Sequence, residues 1–178
     1  GGTPTTLSAP QLDRLMGELA EHIDLSGCTE YTVEAGRPDT ITAEKLAVLA
    51  RRGCSRVSVN PQTMQDAVLE RMGRAHRADD ILRAYALARE SGIGCINMDL
   101  IAGLPGDSAE GFRASLEQVL DLGPENVTVH TLALKKGSRL MEEGGGLPSG
   151  AAVADMLDFA WAALRAAGQR PYYLYRQK

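Results

Sequence analysis

The chain has 178 residues, enough for one domain with a sizeable core. Hydrophobic residues make up 44% and charged residues 24%, the balance of a folded globular chain rather than a disordered one. The net charge of −4 argues against nucleic acid as the main partner, and no apolar run approaches the ~20 residues of a membrane span.

Aromatic residues are only 4%, so the core must be built from Leu, Val, Ile and Ala. Cys28, Cys54 and Cys95 are odd in number and widely spread. That argues against a disulfide framework and shows no zinc or cluster signature, so free thiols in a reducing cytoplasm are expected. The chain begins Gly1-Gly2-Thr3 without Met, so the lack of a signal-peptide pattern excludes little.

Along the chain, Ser8 or Pro10 opens a first helix with Leu12, Leu15, Met16 and Leu19 on one face. Tyr31-Thr32-Val33 reads as a strand ending in Glu34. Thr42 caps a second helix carrying Leu46, Leu49 and Ala50, which Gly53 stops. A second strand, 56–60, runs into Asn60-Pro61-Gln62. Asp79-Asp80 begins a third helix with Ile81, Leu82, Tyr85 and Ala88 inward and Gly92 at its end. The third strand is 95–101. Ser108 then starts a helix containing Phe112, Leu116, Val119 and Leu120, closed by Gly123-Pro124. A fourth strand, 126–132, precedes a flexible Gly144-Gly145-Gly146 loop. The fifth helix, from Gly150 to Ala167, places Met156, Leu157, Trp161 and Leu164 on one face, and Tyr172–Tyr175 forms a fifth strand.

Alternating short β-branched strands and helices imply an α/β fold with parallel strands and right-handed crossovers. No Rossmann GxGxxG is present, so a partial barrel is preferred to a doubly wound sheet, as one domain over residues 1–178.

In such folds chemistry gathers at the carboxyl ends of the strands. There the sequence puts Glu34, Gln62, Asp99 and His130, with Arg74 on a segment after the second strand. Glu34 is compatible with capping a helix, and His130 with bonding only to backbone. Gln62 and Arg74 taken singly read as structural. Asp99 is harder to dismiss, because a carboxylate inside an apolar strand must be paired or ligated. Together these residues suit a zwitterionic, ribose-bearing ligand: arginine clamps a carboxylate, carboxylates and amides bind ribose hydroxyls, and a second carboxylate suits a sulfonium or ammonium. The Gly1-Gly2-Thr3-Pro4-Thr5 turn lets a ligand approach bare backbone, and Gly103-Leu104-Pro105-Gly106 makes a second tight turn at the same end.

These stretches resemble the radical S-adenosylmethionine family around oxygen-independent coproporphyrinogen III oxidase. The likeness rests on Gly1–Thr5, Val33-Glu34, Gln62, Gly73-Arg74 and residues 97–105, in matching order across the whole chain. Residues 34–40, 60–64 and 127–132 are similar to the branch called coproporphyrinogen dehydrogenase, as is the ending 172–178. The resemblance implies a partial (β/α)6 TIM-like barrel, truncated at its N-terminal side. It implies S-adenosylmethionine at the strand ends beside a [4Fe–4S] cluster. By position, Gly1, Gly2 and Thr3 meet the methionyl amino group. Glu34, Gln62, Arg74 and Asp99 hold its carboxylate and the ribose, and Ile101 and Ala133 border the adenine.

The implied reaction is the oxidative decarboxylation of coproporphyrinogen III to protoporphyrinogen IX. One electron from the cluster cleaves the sulfonium, and the resulting 5′-deoxyadenosyl radical takes a hydrogen from a propionate chain, which loses carbon dioxide to become vinyl. The partners implied are a porphyrinogen substrate and an electron donor, with neither nucleic acid nor membrane. The family's C-x3-C-x2-C cluster loop would lie upstream of Gly1, and the three cysteines present cannot replace it. A chain inactive by itself is therefore expected, with an open sheet edge through which it can self-associate. Two other readings are a haem-binding or haem-delivery protein of a related branch, and an unrelated barrel lyase or aldolase, which would need metal ligands at strand ends or a Schiff-base lysine such as Lys135 or Lys136.

Overall fold

The structure, a computed structural model, describes residues 2–133 and 146–171. Four strands form one parallel sheet: β1 (Thr32–Gly36), β2 (Arg56–Gln62), β3 (Cys95–Ala102) and β4 (Asn126–Thr131), adjacent in chain order. The helices are α1 (Ala9–His22), α2 (Ala43–Arg51), α3 (Asp66–Arg71), α4 (Ala78–Glu90), α5 (Ala109–Leu122) and α6 (Gly150–Ala166). The expected partial α/β barrel is thus present in its parallel sheet and helical crossovers. The proposed strand at 172–175 lies outside the described residues, as do Gly1, Lys135, Lys136, Gly144 and Gly145.

Helix starts follow the sequence signals closely. At α1, Ser8 and Gln11 form a reciprocal capping box. Thr42 Oγ1 accepts from the Lys45 amide at α2, and Ser108 Oγ from the Gly111 amide at α5. Gly123, with φ 73°, supplies the left-handed residue that ends α5.

The two faces of the sheet differ because side chains alternate along each strand. Val33, Ala35, Val57, Val59, Ile96, Met98, Leu100 and Ala102 point to one face, all buried. There they join Leu46, Leu49, Ile81, Ala84, Tyr85, Phe112, Leu116, Val119 and Met156 from α2, α4, α5 and α6 in a single core. The opposite face is polar: Glu34, Ser58, Asn97 and Asn126 lie opposite one another in register. Asp99 with Thr128, and Ile101 with His130, form the next two rows toward the carboxyl end.

Several details depart from the sequence expectation. β1 continues to Gly36, so Glu34 sits within the strand rather than at its end. β2 reaches Gln62 by skipping register between Val59 and Gln62, which lets Pro61 occupy an inner strand without a missing ladder bond. The short α3 was not expected at all. Leu15 (44% exposed), Leu82 (40%) and Trp161 (55%), assigned to apolar faces, lie at their edges. The buried stripes are narrower than the periodic pattern: Ala9, Leu12 and Met16 on α1, and Ile81, Ala84, Tyr85 and Ala88 on α4.

Candidate functional site

The segment after Gly2 is fixed to the carboxyl end of β1. The buried Thr5 hydroxyl donates to the Ala35 carbonyl at 2.6 Å and lies 2.6 Å from the Thr40 hydroxyl. Lys45 Nζ donates to the carbonyls of Thr5 and Thr40, at 2.6 and 3.0 Å. Gly36, at φ 68°, leaves room for Thr3: a Cβ there would stand 3.2 Å from Thr3 Cγ2. Thr3 and Thr5 therefore sit against the end of β1.

Glu34 and Asp99 are joined through two neutral side chains. Ser58 Oγ donates to Glu34 Oε1 at 3.1 Å, and Asn97 Nδ2 donates to Ser58 Oγ at 3.3 Å and to Asp99 Oδ1 at 2.6 Å. The Asn97 carbonyl accepts from Thr128 Oγ1 (2.9 Å), Arg56 Nη2 (3.3 Å) and Asn126 Nδ2. Arg56, Ser58, Asn97, Asn126 and Thr128 were not singled out from the sequence for the site. The signal that could have found them is the alternation of polar residues at 56, 58 and 60, and at 97 and 99, on strands whose other face is wholly apolar.

His130 Nε2 lies 3.9 Å from Asp99 Oδ2. Its interaction with Asp99 raises the His130 pKa above the ordinary 6.5, against the opposing effect of burial. A histidine with a raised folded-state pKa stabilises the fold fully below its unfolded value, and that contribution is lost as pH rises through the folded value. The pair is partly exposed, so the effect is a fraction of ~1 kcal/mol. Thermal melts across this range should show His130→Gln losing this pH-dependent component relative to the parent. Superimposable stability profiles for the two proteins would contradict it.

Gln62 follows the β2 irregularity and pairs with Leu100, one residue past Asp99. Its φ of 69° is the only left-handed value for a non-glycine residue among the described residues. Such a backbone costs ~1–2 kcal/mol and persists where surroundings impose it, commonly at functional sites. Arg74 lines a recess of about 300 Å³ with Arg37, Met72, Gly73 and Ala75. Its backbone amide donates to the Leu69 carbonyl at 2.9 Å, but among the described residues its guanidinium makes no hydrogen bond or ion pair, whereas Arg37 is held by Asp39 at 2.6 Å. Ile101 lies opposite His130 in register. Ala133 is exposed, one residue past Leu132, whose amide donates to the Ala102 carbonyl. The turn at 103–106 is filled from within the protein. A Cβ on Gly106 would sit 2.7 Å from Arg71 Nη1, and the Gly106 amide donates to the Gly146 carbonyl at 2.8 Å.

This donor set fits a ligand with hydroxyls and positive charge. It does not fit an iron–sulfur cluster. Cys95 opens β3, buried Cys54 precedes β2, and Cys28 lies between α1 and β1, all at the amino end of the sheet. Burial raises the thiol pKa values of Cys54 and Cys95, which disfavours the thiolate a metal requires. Among the described residues no three His, Cys, Asp or Glu gather to hold a metal, and no helix is long and apolar enough to cross a membrane.

A parallel α/β barrel segment with polar residues at its strand ends is the architecture of the radical SAM superfamily, whose profile matches residues 1–119; the chain belongs to this family. Membership implies S-adenosylmethionine and a [4Fe–4S] cluster as cofactors. The chain is 43% identical, over its whole length, to the oxygen-independent coproporphyrinogen-III oxidase-like protein HemZ of Bacillus subtilis, 36% of which it covers. It is 35% identical to the haem chaperone HemW of the same organism, over 97% of this chain and 46% of that protein. The coproporphyrinogen III oxidase HemN of Escherichia coli, a radical SAM enzyme, superposes with a TM-score of 0.84 at 30% identity, over 94% of this chain and 39% of that one. The chain therefore spans less than half the length of these relatives.

Proposed function

We propose that residues 1–178 form one S-adenosylmethionine-binding domain of a protein that decarboxylates coproporphyrinogen III to protoporphyrinogen IX in the cytoplasm. The observation that carries this reading is the polar sheet face, where Glu34 and Asp99 stand on strands β1 and β3, bonded through Ser58 and Asn97. In this reading Gly1, Gly2 and Thr3 receive the methionyl amino group. Glu34, Gln62, Arg74 and Asp99 hold the methionyl carboxylate and ribose, and Ile101 and Ala133 border the adenine. The bound cofactors supply the radical chemistry, and the chain's own residues bind, orient and exclude water. An electron donor and a porphyrinogen are its partners, and the open sheet edge is a surface for self-association.

The higher similarity to the oxidase-like HemZ supports the decarboxylase reading. The similarity to HemW supports a second one, haem carriage. The full-length protein, supplied anaerobically with S-adenosylmethionine, reductant and coproporphyrinogen III, should yield protoporphyrinogen IX and 5′-deoxyadenosine. Tight haem binding without product in the same preparation would replace this reading with the carrier.

A further inference from the structure

We infer that Asn97 is the positioning residue that sets both ligand-facing carboxylates, Asp99 and Glu34, by fixing one oxygen of each and leaving the other for the ligand. This rests on the proposed S-adenosylmethionine site. Asn97 is 3% exposed and lies at the centre of the sheet's polar row, between Ser58 and Asn126 in register.

Its amide orientation is determined by its neighbours. Arg56 and the Asn126 amide nitrogen have only protons to offer, and both bond to Asn97 Oδ1, as does the Thr128 hydroxyl. The amide's two protons must then point the other way. One bonds Asp99 Oδ1 at 2.6 Å, and the other Ser58 Oγ at 3.3 Å. Ser58, receiving that proton, turns its own toward Glu34 Oε1 at 3.1 Å. A chain of directed bonds thus runs from Arg56 through one amide to carboxylates on two strands. Its direction is set by Arg56, which cannot accept.

Asp99 Oδ2 and Glu34 Oε2 take no part in this chain. Among the described residues Oδ2 has His130 Nε2 beside it, at 3.9 Å. The two remaining oxygens are those available to ligand hydroxyls or positive charge. Aspartate at position 97 would keep the shape and replace the amide protons with a second acceptor beside Asp99. Asparagine is therefore required for its donor side, not for its volume. The charged and titratable groups around this position are Glu34 on β1, Arg56 on β2 with its ion-pair partner Glu30, Cys95 and Asp99 on β3, and His130 on β4.

The test is calorimetric binding of S-adenosylmethionine to the full-length protein between about pH 6 and pH 8, with wild type, Asn97→Asp, Asn97→Ser and Asp99→Ala. Asn97→Asp should bind tenfold or more weakly at pH 8. The deficit relative to wild type should shrink toward pH 6, where the added carboxyl takes up a proton and again donates to Asp99. Asn97→Ser, uncharged and too short to reach Asp99, should bind several-fold more weakly at every pH. It serves if the aspartate variant does not fold. A residue that merely supports the sheet would lower the melting temperature without a pH-dependent affinity deficit. Wild-type affinity in Asn97→Ser, or a pH-independent deficit in Asn97→Asp, overturns the proposal where Asp99→Ala still weakens binding. Undiminished affinity in Asp99→Ala would instead mean that the ligand site itself is wrongly assigned.

Discussion

Asp99→Ala in the full-length protein is expected to weaken S-adenosylmethionine binding by roughly 10- to 150-fold, and Arg74→Ala by a similar factor. The magnitude comes from ~1.5–3 kcal/mol for a hydrogen bond to a charged group, at tenfold per ~1.4 kcal/mol. Asp99 is 9% exposed, and one of its oxygens is already engaged by Asn97. A ligand hydroxyl therefore meets an acceptor that needs no reordering to receive it, and truncation removes that acceptor outright. Arg74 lines its recess together with Arg37, and its guanidinium has no competing partner among the described residues. A carboxylate arriving there would gain the whole guanidinium, while Arg37 is already occupied by Asp39. Calorimetry on each variant checks this. Unchanged affinity in both would mean that the ligand does not lie across these strands.

Phe112→Ala should cost ~3–5 kcal/mol of folding stability, a large share of the total for a domain of this size. Phe112 is 1% exposed on α5 and belongs to the main core, where α5 faces β3 and α6. Truncating it leaves a cavity between those elements. Urea unfolding should show a lower midpoint, with melting lowered by roughly 6–20 °C. Retention of the parental midpoint would mean that α5 is not packed on the sheet as described. Because Phe112 lies on the apolar face, ligand affinity of the folded fraction should remain near wild type. The two large substitutions thus report on opposite faces of one sheet.

The sequence went far at the level of elements. Ser8, Thr42 and Ser108 each cap the helix assigned to them, because a side-chain oxygen before an apolar periodic run satisfies an otherwise unpaired amide. It also brought out Asp99, a carboxylate in a largely apolar strand, but passed over Ser58, Asn97, Asn126 and Thr128, whose role depends on their neighbours across the sheet. It was less successful wherever a residue's surroundings come from elsewhere in the chain. Leu82 and Trp161 carry the right periodicity but lie beyond the edge of the contact with their neighbours, and only packing sets that edge. The short α3 carries too few turns for a periodic signal. Gln62 shows no sequence sign of its left-handed backbone, which follows from the irregular pairing of β2 with β3.

For this protein, then, local chemistry determined the order of strands and helices, the caps and the two-faced character of the sheet. Those depend on spacing and side-chain type within a few residues. Tertiary structure alone decided the register that lines up Glu34, Ser58, Asn97 and Asn126, and with it the bonds joining two carboxylates. A shift of one residue in any strand would send its polar side chains into the apolar core, so the burial of Val57, Ile96, Met98 and Leu100 is what fixes the polar row.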